Sequence, residues 1–307
     1  MYEGACNNLY LRHMKLSGFT FVRNAIAYDY PIVESILSLL PLVDEYIVVV
    51  GDCADGTMEA IRGIADERIR IVRTVWDESL RANGEILAQQ TNIALAECTG
   101  DWCLYLQADE VLHEQDLESY RQALHKAHQR RDVEALLQQW RHFYATYDWL
   151  GAGRQWYRRE IRAVRNVPGV VSWGDAQGFR KREGAHVRKL RAMPTDVTVY
   201  HYGWVKPPEV QQRKQQTFNR YWHDDQWITE HVGNALEFDY SHCHHLKRFV
   251  GSHPKVMAGR VSASSKWASY FDPSRLRRAS VRDRMLDGIE SLTGIRMFEY
   301  RNYQLVR

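Results

Sequence analysis

The chain has 307 residues, 45% hydrophobic and 26% charged, a composition that fits a folded protein with a full core and excludes extended disorder. With 41 lysines and arginines against 38 acids, no global field marks a nucleic-acid binder; the basic run Arg275 to Arg284 reads as a solvated helix face, with anionic lipid headgroups as the alternative contact. Five cysteines without a CxxC pair, no apolar run long enough to cross a bilayer, and no secretory pattern in the first thirteen residues lead us to expect a soluble, cytoplasmic protein, at most peripheral at the cytoplasmic membrane face.

Met14 is followed at once by a strand-like segment, so residues 1–13 are set apart as an upstream start or a loose arm. Phe19 to Val22 reads as a short buried strand ended by the polar Arg23 and Asn24. "PIVESILSLLP" reads as a helix with Pro31 in its first turn and Ile32, Val33, Ile36, Leu37 and Leu40 on one face. Tyr46 to Val50 is a second strand, ended by "GDCADGT", where Asp55 can cap a helix carrying Met58, Ile61 and Ile64. Arg68 to Val72 is a third strand and Ile86 to Leu95 part of a longer helix. Trp102 to Leu106 is a fourth strand, which stops abruptly at Gln107-Ala108-Asp109-Glu110.

Beyond Glu114 the pattern gives an amphipathic helix with Leu117, Tyr120 and Leu124, then a segment rich in aromatics from Trp140 to Trp156. Strand-like pieces at Glu160 to Val164, Val170 to Trp173 and Val197 to Tyr202 are expected to continue the sheet, mixed or antiparallel, as the second wall of a cleft. From Pro208 onward the pattern is mostly helical. Strands alternating with helices imply right-handed crossovers and an α/β fold with a mainly parallel sheet covered on both faces. Ligands of such sheets bind outside the carboxyl ends of the strands, so Arg23-Asn24, Asp52 to Asp55 and Asp109-Glu110 should converge on one edge.

Chemistry assigns these groups two readings each. Asp109 and Glu110 suit a hard divalent cation that also holds substrate phosphates, or equally the positive end of a helix dipole. Asp52 and Asp55 can accept hydrogen bonds from a nucleobase or ribose, or stabilise their own turn, and for Asp55 the turn is the stronger reading. His201, in "VTVYHYGWV", is placed to ligate a metal or meet a diphosphate, and Asp175, in "SWGDAQGFR", to take a proton from an attacking hydroxyl; a structural role competes for both. The absence of GxGxxG and P-loop sequences after the first strand disfavours dinucleotide binding and P-loop phosphate transfer. "HCHHLKRF" is too tightly spaced for a tetrahedral zinc site and reads as packing.

Three stretches resemble the family 2 glycosyltransferases of the GT-A fold: "FTFVRNA", "EYIVVVGDCADGT" and "NIALAECTGDWCLYLQADE", the last being similar to the family's helix, small-residue turn and strand leading into its DxD metal motif. The resemblance covers Lys15 to about Glu114, and less specifically Glu160 to Trp204. It implies a sugar transfer from a nucleotide-diphosphate donor to a glycan, lipid-linked or protein acceptor, inverting and dependent on Mg2+ or Mn2+. Asp109 then matches the last carboxylate of DxD, with Gln107 as a neutral replacement of the first. His201 becomes a second metal or diphosphate contact and Asp175 the general base, while Arg23, Asn24, Asp52, Asp55, Asn92 and Gln107 are expected around the donor nucleotide. The expected organisation is a GT-A domain over residues 14–206, with a nucleotide-sugar half over 14–114 and an acceptor half over 115–206, and a helical extension over 207–307. Rival readings are a sugar-nucleotide nucleotidyltransferase, against which "VRNAIAYDYP" offers no glycine-rich loop, and a non-catalytic nucleotide-sugar or glycan-binding protein.

Overall fold

A computed structural model describes residues 14–233 and 235–306; the arm expected over residues 1–13 lies outside them. β1 (Leu16–Val22) leads through α1 (Ile32–Leu39) to β2 (Glu45–Val50), through α2 (Thr57–Arg62) to β3 (Ile69–Arg73), and through α3 (Glu85–Ala96) to β4 (Trp102–Tyr105). β1 pairs in parallel with β2 on one side and β4 on the other, and β3 extends the sheet beyond β2. These strands are continuous apolar runs because both of their faces are covered. Phe19, Ile47, Val49, Cys103 and Tyr105 pack with Ala94 and Leu95 of α3, while Tyr46, Val48, Val50, Trp102 and Leu104 face Ile32, Ile36 and Leu39 of α1. Full burial of each aliphatic side chain there contributes about 1.5–3 kcal/mol.

The chain continues through β5 (Glu110–Leu112), α4 (Leu117–His128), the long β6 (Ala135–Tyr144), β7 (Thr146–Gly151) and β8 (Arg159–Arg165). β8 runs antiparallel between β4 and β6 and so joins the parallel half of the sheet to the rest. β9 (Val170–Trp173), β10 (Gly178–Glu183) and β11 (His186–Lys189) come next, followed by β12 (Arg191–Trp204), which pairs in parallel with β6 and antiparallel with β5.

One expectation needs correcting. Val170–Trp173 does not continue the main sheet: β9, β10 and β11 form a separate three-stranded antiparallel sheet. These strands are short and largely exposed at their far ends, and a four-residue turn closes the first pair, so they satisfy their backbone groups locally.

After β12 the chain is mostly helical, with α5 (Pro208–Phe218), α6 (Asp225–His231), α7 (Ala258–Ala263) and α8 (Val281–Thr293). It also returns two short strands, β13 (Leu246–Arg248) to the edge of β7 and β14 (Gln304–Leu305) to β12, so the C-terminal part is stitched to the sheet. No helix among the described residues is long and apolar enough to cross a membrane.

Candidate active site

A cavity of about 410 Å³ opens where β1, β4 and β12 end. Phe21, Val22 and Arg23 reach it from β1, Gln107, Ala108 and Asp109 from the loop after β4, and His201 and Trp204 from β12. Asp175, on the turn between β9 and β10, lies on its wall. Of the groups expected from strand order to converge on one sheet edge, Arg23 and Asp109 line this cavity, joined there by Gln107.

Asp109 is 8% exposed. Its carbonyl accepts a hydrogen bond from the Tyr202 amide at 2.8 Å, which fixes the loop against β12. Its carboxylate lies 3.7 Å from His201 Nε2 and 3.6 Å from Lys214 Nζ. Burial alone would raise the Asp109 carboxyl, but His201, Lys214 and Lys206 outweigh it and hold the group ionised, well below the usual carboxylate range. Gly203 is what lets the two side chains approach: a Cβ there would sit 2.5 Å from Asp109 Oδ2 and 2.6 Å from His201 Nε2.

The protons of the histidines follow from their partners. His142 Nε2 lies 2.8 Å from the Tyr157 carbonyl, which only accepts, so the proton is assigned to Nε2 and His142 Nδ1 carries a lone pair. That lone pair faces His201 Nδ1 at 3.1 Å, which must donate. Burial and the neighbouring His201 keep His142 well below the ordinary imidazole range, hence neutral. His201 Nε2, when it carries a proton, faces Asp109 as the charged partner that holds the carboxylate ionised, and on giving that proton up it presents a lone pair to the same side. One imidazole nitrogen and one carboxylate facing each other, with the second imidazole nitrogen anchored by another residue, is a donor set that fits a divalent cation. No group of three or more His, Cys, Asp or Glu side chains among the described residues forms a metal cage, so such an ion would rely on substrate oxygens and water for its other ligands.

The other expected residues divide. Asp175 accepts a hydrogen bond from the Gln177 amide at 3.2 Å, and its Cβ lies so near Gly84 that any side chain at that left-handed position (φ +67°) would collide with it and with Trp222. Gln107 donates to the Ala176 carbonyl at 3.4 Å, bridging its loop to the turn that bears Asp175. Arg23 lies over the Trp76 ring, bonded to Asp52 at 2.9 Å and to Glu78. Asp52 thus reaches the cavity through its partners: the Arg23 guanidinium and the Trp76 amide, from which it accepts at 3.3 Å. Asn24 adopts a left-handed backbone (φ +55°) and donates its amide to Cys53 Sγ. Asp55 accepts from the Thr57 amide and hydroxyl and from the Ala27 amide, which occupies it in the turn before α2. Asn92 is spent on the Ser172 backbone, tying α3 to β9 away from the cavity. Glu110, paired with Asp109 in the sequence, is turned inward onto Arg162.

The sequence reading missed the cavity's other wall. Lys214, Phe218, Tyr221 and Trp222 come from α5 and the turn after it, and Trp76 faces them with its ring 5.5 Å from that of Tyr221. The signal was present in "RKQQTFNRYW", where Lys214, Phe218 and Tyr221-Trp222 recur at helical spacing. Lys214 also donates to the Gly203 carbonyl at 2.9 Å.

The chain matches the family described as glycosyl transferase family 2 over residues 21–182, more than half of its length. No curated protein matches it. Among solved structures it is similar to S. aureus TarS, with 11% identity over 66% of this chain and 39% of that chain at a TM-score of 0.38. It is also similar to glucosyl-3-phosphoglycerate synthase from Mycobacterium tuberculosis in complex with Mg2+ and uridine-diphosphate, with 20% identity over 44% of this chain and 46% of that chain at a TM-score of 0.31. The match spans less than half the length of each of these proteins. The chain belongs to glycosyl transferase family 2, and it is built on a mixed, mainly parallel α/β sheet flanked by helices.

Proposed function

We propose that the protein transfers a sugar from a nucleotide-diphosphate sugar to an acceptor hydroxyl, with inversion and with Mg2+ or Mn2+, in glycan or polysaccharide biosynthesis. The observation that carries this reading is that one cavity collects an ionised Asp109, the Nε2 of His201 and the Asp175 carboxylate under an aromatic wall. Asp109 and His201 would hold the ion, whose contribution when bound is to neutralise charge on the departing diphosphate.

The rest is the work of the chain's own residues. The acceptor oxygen forms a bond to the anomeric carbon as the bond from that carbon to the diphosphate oxygen breaks; the hydroxyl proton passes to Asp175, and the nucleoside diphosphate leaves. Arg23 and Lys214 place fixed positive charge on the cavity wall, suited to a developing anion. Trp76, Tyr221 and Trp222 offer ring faces to a nucleobase or sugar. In this reading residues 14–114 hold the donor, 115–206 form the acceptor half, and the extension over 207–307 closes the cavity through Lys214 and Phe218.

The test is thermal stability against nucleoside diphosphates and nucleotide sugars, with and without Mn2+. One nucleotide class should raise the midpoint by a few degrees in a metal-dependent way, because ligand at about 100 times Kd adds about 2.7 kcal/mol. Asp109→Ala should lose that shift and about 10²- to 10³-fold in turnover while keeping its own melting transition. No shift with any nucleotide, or full turnover in the variant, would sink the assignment.

A further inference from the structure

α8 is amphipathic in the wrong sense for a helix that leans on a core. Its inward side is held by charge: Glu290 lies 3.2 Å from Arg154, 3.2 Å from Arg158 and 3.6 Å from Arg296, and Leu286 is the one buried residue. Its outward side is apolar. Val281, Met285 and Leu292 are 74%, 60% and 89% exposed, and Ile295 and Phe298 just beyond the helix are 63% and 79% exposed. At about 100° per residue, Val281, Met285 and Leu292 fall within about 40° of one another, while Asp283, Asp287 and Glu290 lie on the opposite side.

The helix is well made at its ends, with the Ser280 hydroxyl accepting from the Asp283 amide at 3.0 Å and Gly294 closing the C-terminus in a left-handed conformation. The apolar stripe therefore belongs to a formed helix and not to a frayed segment. Arg282 and Arg284 flank the stripe and Arg278 precedes it, all exposed. Arg275 and Arg277 pair with Asp272 and Asp239, but Arg278, Arg282 and Arg284 form no ion pair among the described residues.

We infer that this face docks on an anionic lipid surface, with α8 lying in the headgroup plane, Val281, Met285 and Leu292 inserted, and the three free arginines at the level of the phosphates. Charge decides the occupant. A second copy docking through the same face across a two-fold axis would set these arginines against themselves, whereas an anionic bilayer complements both the apolar stripe and its basic flanks.

The position of the face is also informative. Arg282 and Phe298 line a cavity of about 570 Å³ together with Trp156, Tyr157 and Gln177. Trp156 lies 6.0 Å, ring to ring, from Trp204 of the candidate active site, and Tyr157 lies 4.5 Å from His142. A chain docked by α8 therefore keeps the acceptor side of the site one cavity away from the membrane; this sentence alone rests on the function proposed above.

The experiment is flotation of the full chain with vesicles of phosphatidylcholine containing about one-third phosphatidylglycerol, against phosphatidylcholine alone, at low salt and at about 0.5 M salt, where surface attraction is screened. The protein should float with the anionic vesicles only, and less at high salt. Met285→Glu with Leu292→Glu, and separately Arg282→Glu with Arg284→Glu, should each cut the bound fraction about tenfold or more. Their melting points should stay near that of the wild type, since the positions are exposed. Wild-type protein that ignores anionic vesicles, or variants that float as well as wild type, would overturn the inference. So would a dimer split by Leu292→Glu without vesicle binding, which assigns the face to a second copy.

Discussion

Just past β4, two adjacent carboxylates leave the chain in opposite directions. Glu110 is wholly buried and receives both prongs of Arg162, Nε and Nη2 each at 2.7 Å, from a guanidinium that lies 5.1 Å from the Tyr105 ring and 4.7 Å from the Trp140 ring. Asp109 faces the cavity with His201 and Lys214 at 3.7 and 3.6 Å, close enough to keep it charged and too far for a hydrogen bond from either. The first carboxylate has used up its acceptor capacity inside the protein, and the second has kept its own for something that enters. The inward pair nonetheless builds the outward site: Glu110 accepts the Gln107 amide at 2.9 Å and Arg162 donates to the Gln177 carbonyl at 2.7 Å, so a single ion pair fixes both the loop of Asp109 and the turn of Asp175.

The sharpest way to break this contrast is Arg162→Met, which strands Glu110 as a buried charge. Unfolding by urea should show a loss of about 3–5 kcal/mol, whereas Arg162→Met combined with Glu110→Leu should recover part of it, because two apolar partners leave no orphan. A single variant as stable as wild type would mean that Glu110 takes a proton without cost and that the pair does not organise the site.

A third carboxylate calibrates the other two. Glu160 is buried, accepts the Ile161 amide at 3.0 Å and the Asn302 side chain at 3.3 Å, and has no ion-pair partner among the described residues. Burial pushes it up to about 7 from an ordinary 4.5, with Arg162 and Arg180 opposing that only in part. A carboxyl whose folded pKa lies above its unfolded one keeps its proton in the native state after the unfolded chain has lost it. Stability therefore falls as pH rises between those two values and levels off above about 7. Glu160→Gln removes this penalty, so the variant should gain on wild type by about 2–3 kcal/mol between pH 4 and pH 8. A difference that stays flat with pH would show Glu160 to be ionised and paired.

The contrast also explains what the sequence disclosed. The first four strands were legible because burial on both faces writes a continuous apolar run, and Asp109 was legible because that run stops at charge. Nothing local distinguished Asp109 from Glu110, since adjacent residues at a strand start point to opposite sides and only Arg162, on a strand about 50 residues later, decides which side is inward. His142 was invisible for the same reason: it meets His201 through the parallel register of β6 and β12, a pairing that a single sequence does not encode. The resemblance implies Asn92 at the nucleotide, but β9 folds into its own small sheet and holds that side chain on the Ser172 backbone as a strap, a partner that a single sequence does not disclose. The aromatic wall from α5 followed a readable helical spacing but had been set down as extension.

The smallest expected effect tests whether Asp109 truly holds its lone pairs for an incoming ion. Lys214 is buried, with its ammonium beside the Tyr30 ring at 5.1 Å and bonded to the Gly203 carbonyl. Burial lowers its pKa, while Asp109 pulls in the other direction. A divalent cation at Asp109 must share the carboxylate with that ammonium, and the two positive charges repel. Lys214→Met removes the competitor while keeping the stem among the aromatic rings. Mn2+ titrated without donor should then bind more tightly, by up to about tenfold, as expected for charges several ångströms apart in a solvated cleft. Asp109→Ala should abolish the same titration. Unchanged Mn2+ affinity in Lys214→Met would place the ion away from Asp109, leaving the carboxylate as the counter-ion of a lysine and nothing more.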